Sequence, residues 1–184
     1  MRPARPLGPA MPTAAVAAVL AAGLTLPAGP ARADAGVQIA GFEHLCVETG
    51  AEIALVEARA MEMGGRRVDM AGPASRQTIG FALSHSNAGA FLVSASFEQQ
   101  GGRIDRQCVL MRPEGDPRAM EAELRRHPGY GAPVDRIDAE DGNTYTLWSL
   151  DPRVPAGEVA MIERTRRDGL SVTLSLQRIT EAGR

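Results

Sequence analysis

"RIDRQCVLM", residues 103–111, places one of the chain's two cysteines inside a stretch that predicts a β-strand. Ile104, Cys108 and Leu110 are separated by even numbers of positions, so an extended chain carries them on one face. We expect that face to point into the core. Cys108 is then placed to form a buried disulfide with Cys46, the other cysteine, 62 positions upstream.

Two lone cysteines usually pair when a protein is exported to an oxidising compartment. Closing a loop of this length should stabilise the fold by about 4 kcal/mol in the chain-entropy model. His44 lies two positions before Cys46, which leaves a reactive or redox thiol and a metal site as alternatives. Zinc needs three or four ligands with firm spacing, and no C-x-x-C motif is present, so the structural disulfide Cys46–Cys108 is preferred.

The first 33 residues are typical of a cleaved signal peptide. Arg2 and Arg5 precede the apolar run "MPTAAVAAVLAAGLTLPAG" (11–29), and residues 31–33, "ARA", match the small-x-small pattern before a cleavage site. The run is short for a membrane span, which needs about 20 residues. We therefore expect general secretory export, no membrane span after cleavage, and a soluble protein in the periplasm or outside the cell.

The charged residues exclude several classes of function. All 20 basic residues are arginine, so a Schiff-base lysine, a pyridoxal-phosphate site and a P-loop lysine are impossible. Removal of the first 33 residues takes away three arginines, which leaves 17 basic against 22 acidic residues and a net charge of −5. This balance gives no electrostatic footprint for nucleic acid, and we expect neither nucleic acid nor a cofactor to bind.

Most of the chain beyond residue 76 predicts antiparallel strands, because apolar and polar residues alternate with a period of two. In the last stretch, "LSVTLSLQ" (170–177), leucine and valine alternate with serine and threonine, so we expect one buried and one solvated face. Asp141-Gly142 predicts a hairpin turn. The predicted strands lie in 77–84, 90–97, 104–111, 134–150 (a hairpin), 157–164 and 170–177.

A first helix is predicted after residue 49. Thr49 and Glu52 have the spacing of a capping box, in which each side chain bonds to the backbone amide of the other residue. Apolar residues then recur at helical spacing over 53–63. Gly64-Gly65 should end the helix.

A second helix is predicted after Asp116, which has the residue type of an N-cap and is followed by Pro117 at the first helical position. Met120 and Leu124 are four residues apart and should share the buried face. The helix should end at His127. We interpret His127 as a positive group near the helix C-terminus, and not as a catalytic residue.

The two halves of the expected mature chain, 34–184, repeat the same order of predicted elements with an offset of roughly 66 residues, as from Leu110 to Leu176. We predict a single α+β domain, an antiparallel sheet with two helices packed on one face. A tandem α-β-β-β-β repeat with halves 42–112 and 113–180 is one interpretation. Chance similarity of two α+β halves is the other.

Two polar stretches invite a catalytic or metal-binding interpretation. "ALSHSNAGA" (82–90) places His85 between two serines before a turn, but no G-x-S-x-G elbow accompanies it. "DRIDAEDGN" (135–143) holds four acids, but its glycine and its twelfth position do not fit a calcium loop. We therefore interpret His85 as a solvated turn residue and the acidic stretch as a hairpin tip.

Four further residues are candidates for a binding surface. Trp148 is the sole tryptophan, and the sequence leaves open whether it is a core residue or an interface anchor. Arg164, Arg166 and Arg167 cluster at the last predicted hairpin. Arginines in such a position can bind an anion or an acidic partner, although solvated charge is the simpler interpretation.

These features favour an exported, non-catalytic binding or accessory protein that acts on a protein or another component of the cell envelope. The export signal, the disulfide and the polar strand faces support this hypothesis. Two alternatives stay open. One is a small exported hydrolase that uses His44 or His85, and the other is a thiol redox protein that uses Cys46.

Overall fold

The computed structural model describes residues 35–86, 89–113, 115–139, 143–150, 158–166 and 169–181, with the backbone alone at 131, 149–150, 158–166 and 169–170. The expected signal peptide lies outside these residues. The elements are α1 (Ala35–Phe42), a π-helical turn (Glu43–Val47), α2 (Ile53–Glu62), β1 (Arg66–Val68), β2 (Arg76–His85), β3 (Gly89–Gln100), β4 (Arg103–Arg112), α3 (Pro117–Arg126), β5 (Tyr130–Asp138), β6 (Asn143–Leu150), β7 (Glu158–Arg166) and β8 (Gly169–Glu181).

The eight described strands form one antiparallel sheet in the order β1-β2-β3-β4-β8-β7-β6-β5. Each strand pairs with the next one along the chain, except at the junction between β4 and β8. Cys108 lies opposite Leu176 at this junction. Residues 103–111 therefore belong to a central strand of the sheet, β4. The predicted α+β class is confirmed.

The strand order divides the sheet into two four-stranded meanders that meet at their last strands. A helix precedes each meander, α2 in the first and α3 in the second. The last hairpin closes at Gln100 and Arg103 in the first meander, and at Arg166 and Gly169 in the second. These positions repeat with the same roughly 66-residue offset that the sequence suggests. A common origin of the two halves stays a prediction.

The start of α2 differs from the prediction. The Thr49 hydroxyl donates to the carbonyl oxygens of Leu45 at 2.7 Å and Cys46 at 3.2 Å, so it closes the π-helical turn. Glu52 is the N-cap of α2, and its side chain makes no capping hydrogen bond. The capping-box prediction is wrong because Leu45 and Cys46, which the sequence places either in a connecting segment or in a preceding helical turn, lie in such a turn, and their carbonyls accept the hydroxyl.

The start of α3 is as predicted. The Asp116 carboxylate accepts hydrogen bonds from the amides of Arg118 at 2.9 Å and Ala119 at 3.3 Å, and Pro117 follows at the first helical position. This side chain satisfies two of the amides that a helix N-terminus leaves without an intrahelical partner. The helix ends at His127, as the sequence indicates.

The described helices all pack against one face of the sheet. Their buried residues and the alternate residues of the strands form a single apolar cluster, because strand residues two apart point to the same side. The helices contribute Ile39, Phe42, Leu45, Cys46, Val56, Ala60, Met120 and Leu124, and the strands contribute Ile79, Phe81, Leu83, Phe91, Val93, Ala95, Cys108, Leu110, Trp148, Val172, Leu174 and Leu176. This packing matches the predicted placement of the two helices.

The last strand departs from its predicted pattern on one face. Val172, Leu174 and Leu176 are fully buried, as expected, but Ser175, expected to be solvated, is only 3% exposed. β8 lies between β4 and β7, so longer neighbouring side chains shield the serine. The Gln107 side-chain amide donates to the Ser175 hydroxyl at 3.3 Å, which satisfies one hydrogen-bonding capacity of the buried group.

Candidate functional site

The predicted disulfide between Cys46 and Cys108 is present, with a Cα–Cα distance of 5.4 Å. Both residues are fully buried, and the described residues contain no free cysteine. The bond fastens the π-helical turn to the central strand β4. A sulfur buried on all sides is not accessible to a thiol partner, so this geometry favours a structural role.

His44, on the π-helical turn, contacts charged groups instead of a nucleophile. A nitrogen of the Arg59 guanidinium lies 2.6 Å from His44 Nδ1 and 2.6 Å from a carboxylate oxygen of Glu48. The same guanidinium nitrogen also lies 3.3 Å from His44 Nε2, so it lies against the edge of the ring. His44 Nδ1 also lies 3.2 Å from a Glu48 carboxylate oxygen.

The Glu48 carboxylate has a pKa below its ordinary value, chiefly because Arg59 donates a hydrogen bond to it. Glu48 is about half exposed, so solvent screens this interaction and its contribution to stability is small. In the described part of the chain, no hydroxyl or thiol forms a hydrogen bond with His44. The arrangement is a surface ion-pair cluster without the base–nucleophile contact that hydrolases use.

The other two histidines also lie in separate places. His85 is exposed at the end of β2. His127 caps α3, where its Nδ1 accepts from the Gly129 amide at 3.3 Å and its Nε2 lies 3.5 Å from a Glu43 carboxylate oxygen. These contacts agree with the interpretation of His127 as a helix-terminal residue.

Tyr130 lies beside His127, with their ring centroids 5.3 Å apart. Its hydroxyl is buried and has no hydrogen-bond partner among the residues that the structure describes. Burial, and secondarily the charge of Glu43, raises the pKa of Tyr130 well above its ordinary value. The phenol therefore stays protonated, and its environment favours the neutral form instead of a phenolate.

The structure answers the question that the sequence leaves open about Trp148. Its side chain is 1% exposed and belongs to the core beneath α3, where the Arg125 guanidinium lies 5.8 Å from the ring centroid. Trp148 is therefore not part of an exposed binding surface. The side chains of Arg164 and Arg166, and all of Arg167, lie outside the described residues, so their proposed role stays a prediction.

The sheet face opposite the helices has no described helix against it, and we call it the open face. Its residues on the central strands β3, β4 and β8 include Leu92, Ser94, Ser96, Glu98, Asp105, Gln107, Val109, Met111, Thr173, Ser175, Gln177 and Ile179, according to the strand register. The other face carries the disulfide and the apolar cluster. The described helices therefore leave the open face uncovered.

One end of the open face carries a polar cluster. The Arg76 guanidinium donates to Glu98 at 2.9 and 3.1 Å, and Ser75 donates to the same carboxylate at 3.0 Å. The hydrogen bond from Arg76 is the main reason that the pKa of Glu98 lies below its ordinary value. Beside this pair, the Gln177 amide donates to Asp105 at 3.0 and 3.2 Å. The cluster has one more carboxylate than guanidinium groups.

About 20 Å away along β4, at 3.4 Å per residue, an apolar row crosses the same face. Leu92 pairs with Met111, which is only 5% exposed, and Met111 pairs with Thr173. On the other side of β7, Tyr145 pairs with Ile137, which is 43% exposed. Polar and apolar groups on one surface can give a partner both orientation and buried area.

The sequence pattern does not group these open-face residues. Asp105, Gln107 and Gln177 come from two strands that are about 70 positions apart in the chain. Only the register of β4 against β8 brings them together. The alternation within each strand indicates which residues share a face, but it carries no information on which strand is the neighbour.

In the described part of the chain, no three His, Cys, Asp or Glu side chains are grouped closely enough to hold a metal ion. Residues 140–142 of the acidic stretch lie outside that part. None of the described helices has the length and apolar character that a membrane span requires. No protein-family model, curated protein or solved structure matches this chain.

Proposed function

We propose that this chain is an exported, disulfide-stabilised binding or accessory protein that docks another protein or envelope component on the open face of its sheet. The observation that carries the proposal is the one-sided packing of the sheet. All described helices lie against one face, and the open face presents both a polar cluster and an apolar row.

The size of the open face fits this role. Eight strands spaced about 4.8 Å apart give a width of about 35–40 Å, and stable protein interfaces bury about 800 Å² on each partner. The polar side chains are held in place before any partner arrives, since Gln177 bonds Asp105 and Arg76 bonds Glu98. Preorganised groups lose less conformational entropy on binding.

The disulfide supports the location. It is consistent with an oxidising compartment, and the first 33 residues have the pattern of a signal peptide. The buried bond also weighs against the redox alternative, and the isolated contacts of His44 weigh against the hydrolase. A binding role requires neither an accessible thiol nor a catalytic cluster.

The test is affinity capture with the natively exported protein and a matched pair of serine variants. Ser94→Arg places a bulky charge on the open face, whereas Ser86→Arg places the same charge at an exposed position at the end of β2. We expect Ser94→Arg to abolish capture of the partner that the wild type and Ser86→Arg both retain, with all three proteins melting within a few degrees of one another.

Equal capture by both variants would contradict the proposal. Two histidine variants test the hydrolase alternative. If His44→Ala and His85→Ala bind the partner as the wild type does, the binding role does not depend on a histidine.

A further inference from the structure

A second surface, on the outer side of α2, carries apolar residues that the fold leaves in solvent. Leu55 is 49% exposed and Met61 is 62% exposed, and Ala54 and Ala58 are exposed between them. At 100° per residue, these four positions fall within an arc of about 120° that also includes Glu62. We call Ala54, Leu55, Ala58 and Met61 the α2 stripe.

The equivalent side of α3 is different. Alignment of the two N-caps, Glu52 and Asp116, places Ala54 against Arg118 and Met61 against Arg125. On α3, Arg125 pairs with Glu121 at 2.8 Å and Arg126 pairs with Glu123 at 2.7 Å. The outer side of α3 is thus a solvated charged surface, while the α2 stripe presents apolar side chains at the spacing by which helices bind grooves and one another.

The α2 stripe continues into a cleft at the N-terminal end of the helix. This cleft has a volume of about 220 Å³ and is lined by Glu52, Ile53, Ala54, Gln77, Phe97 and Arg106. Ala54 belongs to both the stripe and the cleft. A segment of a partner that covers the stripe therefore reaches the cleft within about two helical turns, or about 10 Å at 1.5 Å per residue.

Arg106 supplies the charge in the cleft. Its guanidinium lies 5.7 Å from the centre of the Phe97 ring, and it forms no ion pair with any residue that the structure describes. Its Cα partner on the neighbouring strand β8 is Arg178.

We propose that the α2 stripe and the Arg106 cleft together dock a short amphipathic segment of another protein, with apolar residues on α2 and a carboxylate, from a side chain or the C-terminus, at Arg106. The charge complementarity of Arg106 selects an acidic occupant. Glu52 opposes it from the rim of the cleft, and its carboxylate makes no capping bond. Arg106 attracts a carboxylate of the bound segment and Glu52 repels it. Variants of the two residues therefore measure whether the bound segment is acidic.

The experiment is a selection of random dodecapeptides with free C-termini on the natively exported protein, followed by titration of the recovered peptides by fluorescence polarisation. We expect recovered peptides with apolar residues three or four apart and an acidic end. Arg106→Gln should weaken their binding about fivefold, as for a partly exposed charge pair, and Glu52→Gln should tighten it about twofold.

Ala58→Asp and Ala122→Asp form the matched pair, since both alanines are exposed at equivalent positions of α2 and α3. Ala58→Asp should weaken binding at least about tenfold, in the range of an interface hot spot, and Ala122→Asp should leave it within about twofold. Thermal melts of all variants identify any change that comes from unfolding.

Four results would overturn the proposal. The first is that no peptide is recovered, and the second is that basic peptides are recovered and bind the Arg106→Gln variant as tightly as the wild type. The third is a concentration-dependent dimer that the Ala58→Asp substitution dissociates. The fourth is binding of the protein to lipid vesicles that the same substitution abolishes. The dimer would assign the stripe to a second copy of this chain, and vesicle binding would assign it to a membrane surface.

Discussion

α2 and α3 occupy equivalent places in the two halves of the molecule, yet they distribute their apolar residues in opposite ways. The inner side of α2 buries the small residues Val56 and Ala60, while the inner side of α3 buries Met120 and Leu124. On the outer side, Met61 of α2 is exposed where α3 has Arg125.

The difference shows two ways of holding a helix on the same sheet. α3 is held by large buried side chains and by the Asp116 cap. α2 buries less apolar area of its own, and the segment before it is fastened to β4 by the disulfide. α2 also presents Leu55 and Met61 to solvent.

Removal of the disulfide should have the largest effect on the stability difference between the two helices. We expect Cys46→Ala/Cys108→Ala to lower the free energy of unfolding by about 4 kcal/mol, because the unfolded chain regains the entropy of a 62-residue loop. Denaturant unfolding measures the loss. Hydrogen exchange locates it, and protection should fall more in α1 and α2 than in α3. An equal fall in both helices would show that α2 does not depend specifically on the disulfide.

A smaller loss of stability is expected when a buried leucine of α3 is replaced, and almost none when an exposed leucine of α2 is replaced. Leu124→Ala, at a fully buried position of α3, should cost about 3 kcal/mol, because it removes buried methyl groups and leaves a cavity. Leu55→Ala on α2 makes the same chemical change at an exposed position and should cost less than about 0.5 kcal/mol. Chemical denaturation of both variants tests the pair. Comparable losses would mean that Leu55 is buried in solution.

The smallest expected difference concerns the two N-caps. Asp116→Ala should cost about 1 kcal/mol, because the amides of Arg118 and Ala119 lose their side-chain acceptor. Glu52→Ala removes a side chain that caps nothing and should change the melting temperature by less than the error of the measurement. A loss at Glu52 as large as that at Asp116 would show that Glu52 caps α2 in solution.

Local patterns predicted the elements that depend on neighbouring residues. The Asp116 cap, the glycine end of α2 and the alternation of the last strand are each encoded within a few positions of the chain. Sequence analysis also predicted the disulfide, because only two cysteines are present. The pattern did not predict α1, and it left open whether Leu45 and Cys46 lie in a helical turn, because these residues carry neither a capping signal nor a clear apolar period. The wrong capping box at Thr49 followed from this ambiguity.

The candidate surfaces were harder to predict, because they depend on contacts between distant parts of the chain. Gln107 and Ser175 meet only through the pairing of β4 with β8. Leu55 has a residue type that is usually buried, and its exposure depends on which side of α2 meets the sheet. Trp148 could be either core or surface until the position of α3 above it was known.

Residue types and their short-range spacing were enough to establish the α+β class, the disulfide pair, most strand positions and the absence of lysine-dependent chemistry. Three features required the folded chain: the β4–β8 junction, the open face, and the exposure of the α2 stripe. The physical reason is the distance along the chain over which each interaction acts. Backbone hydrogen bonding and capping act over a few residues, whereas burial and strand register depend on partners that the chain brings together only when it folds.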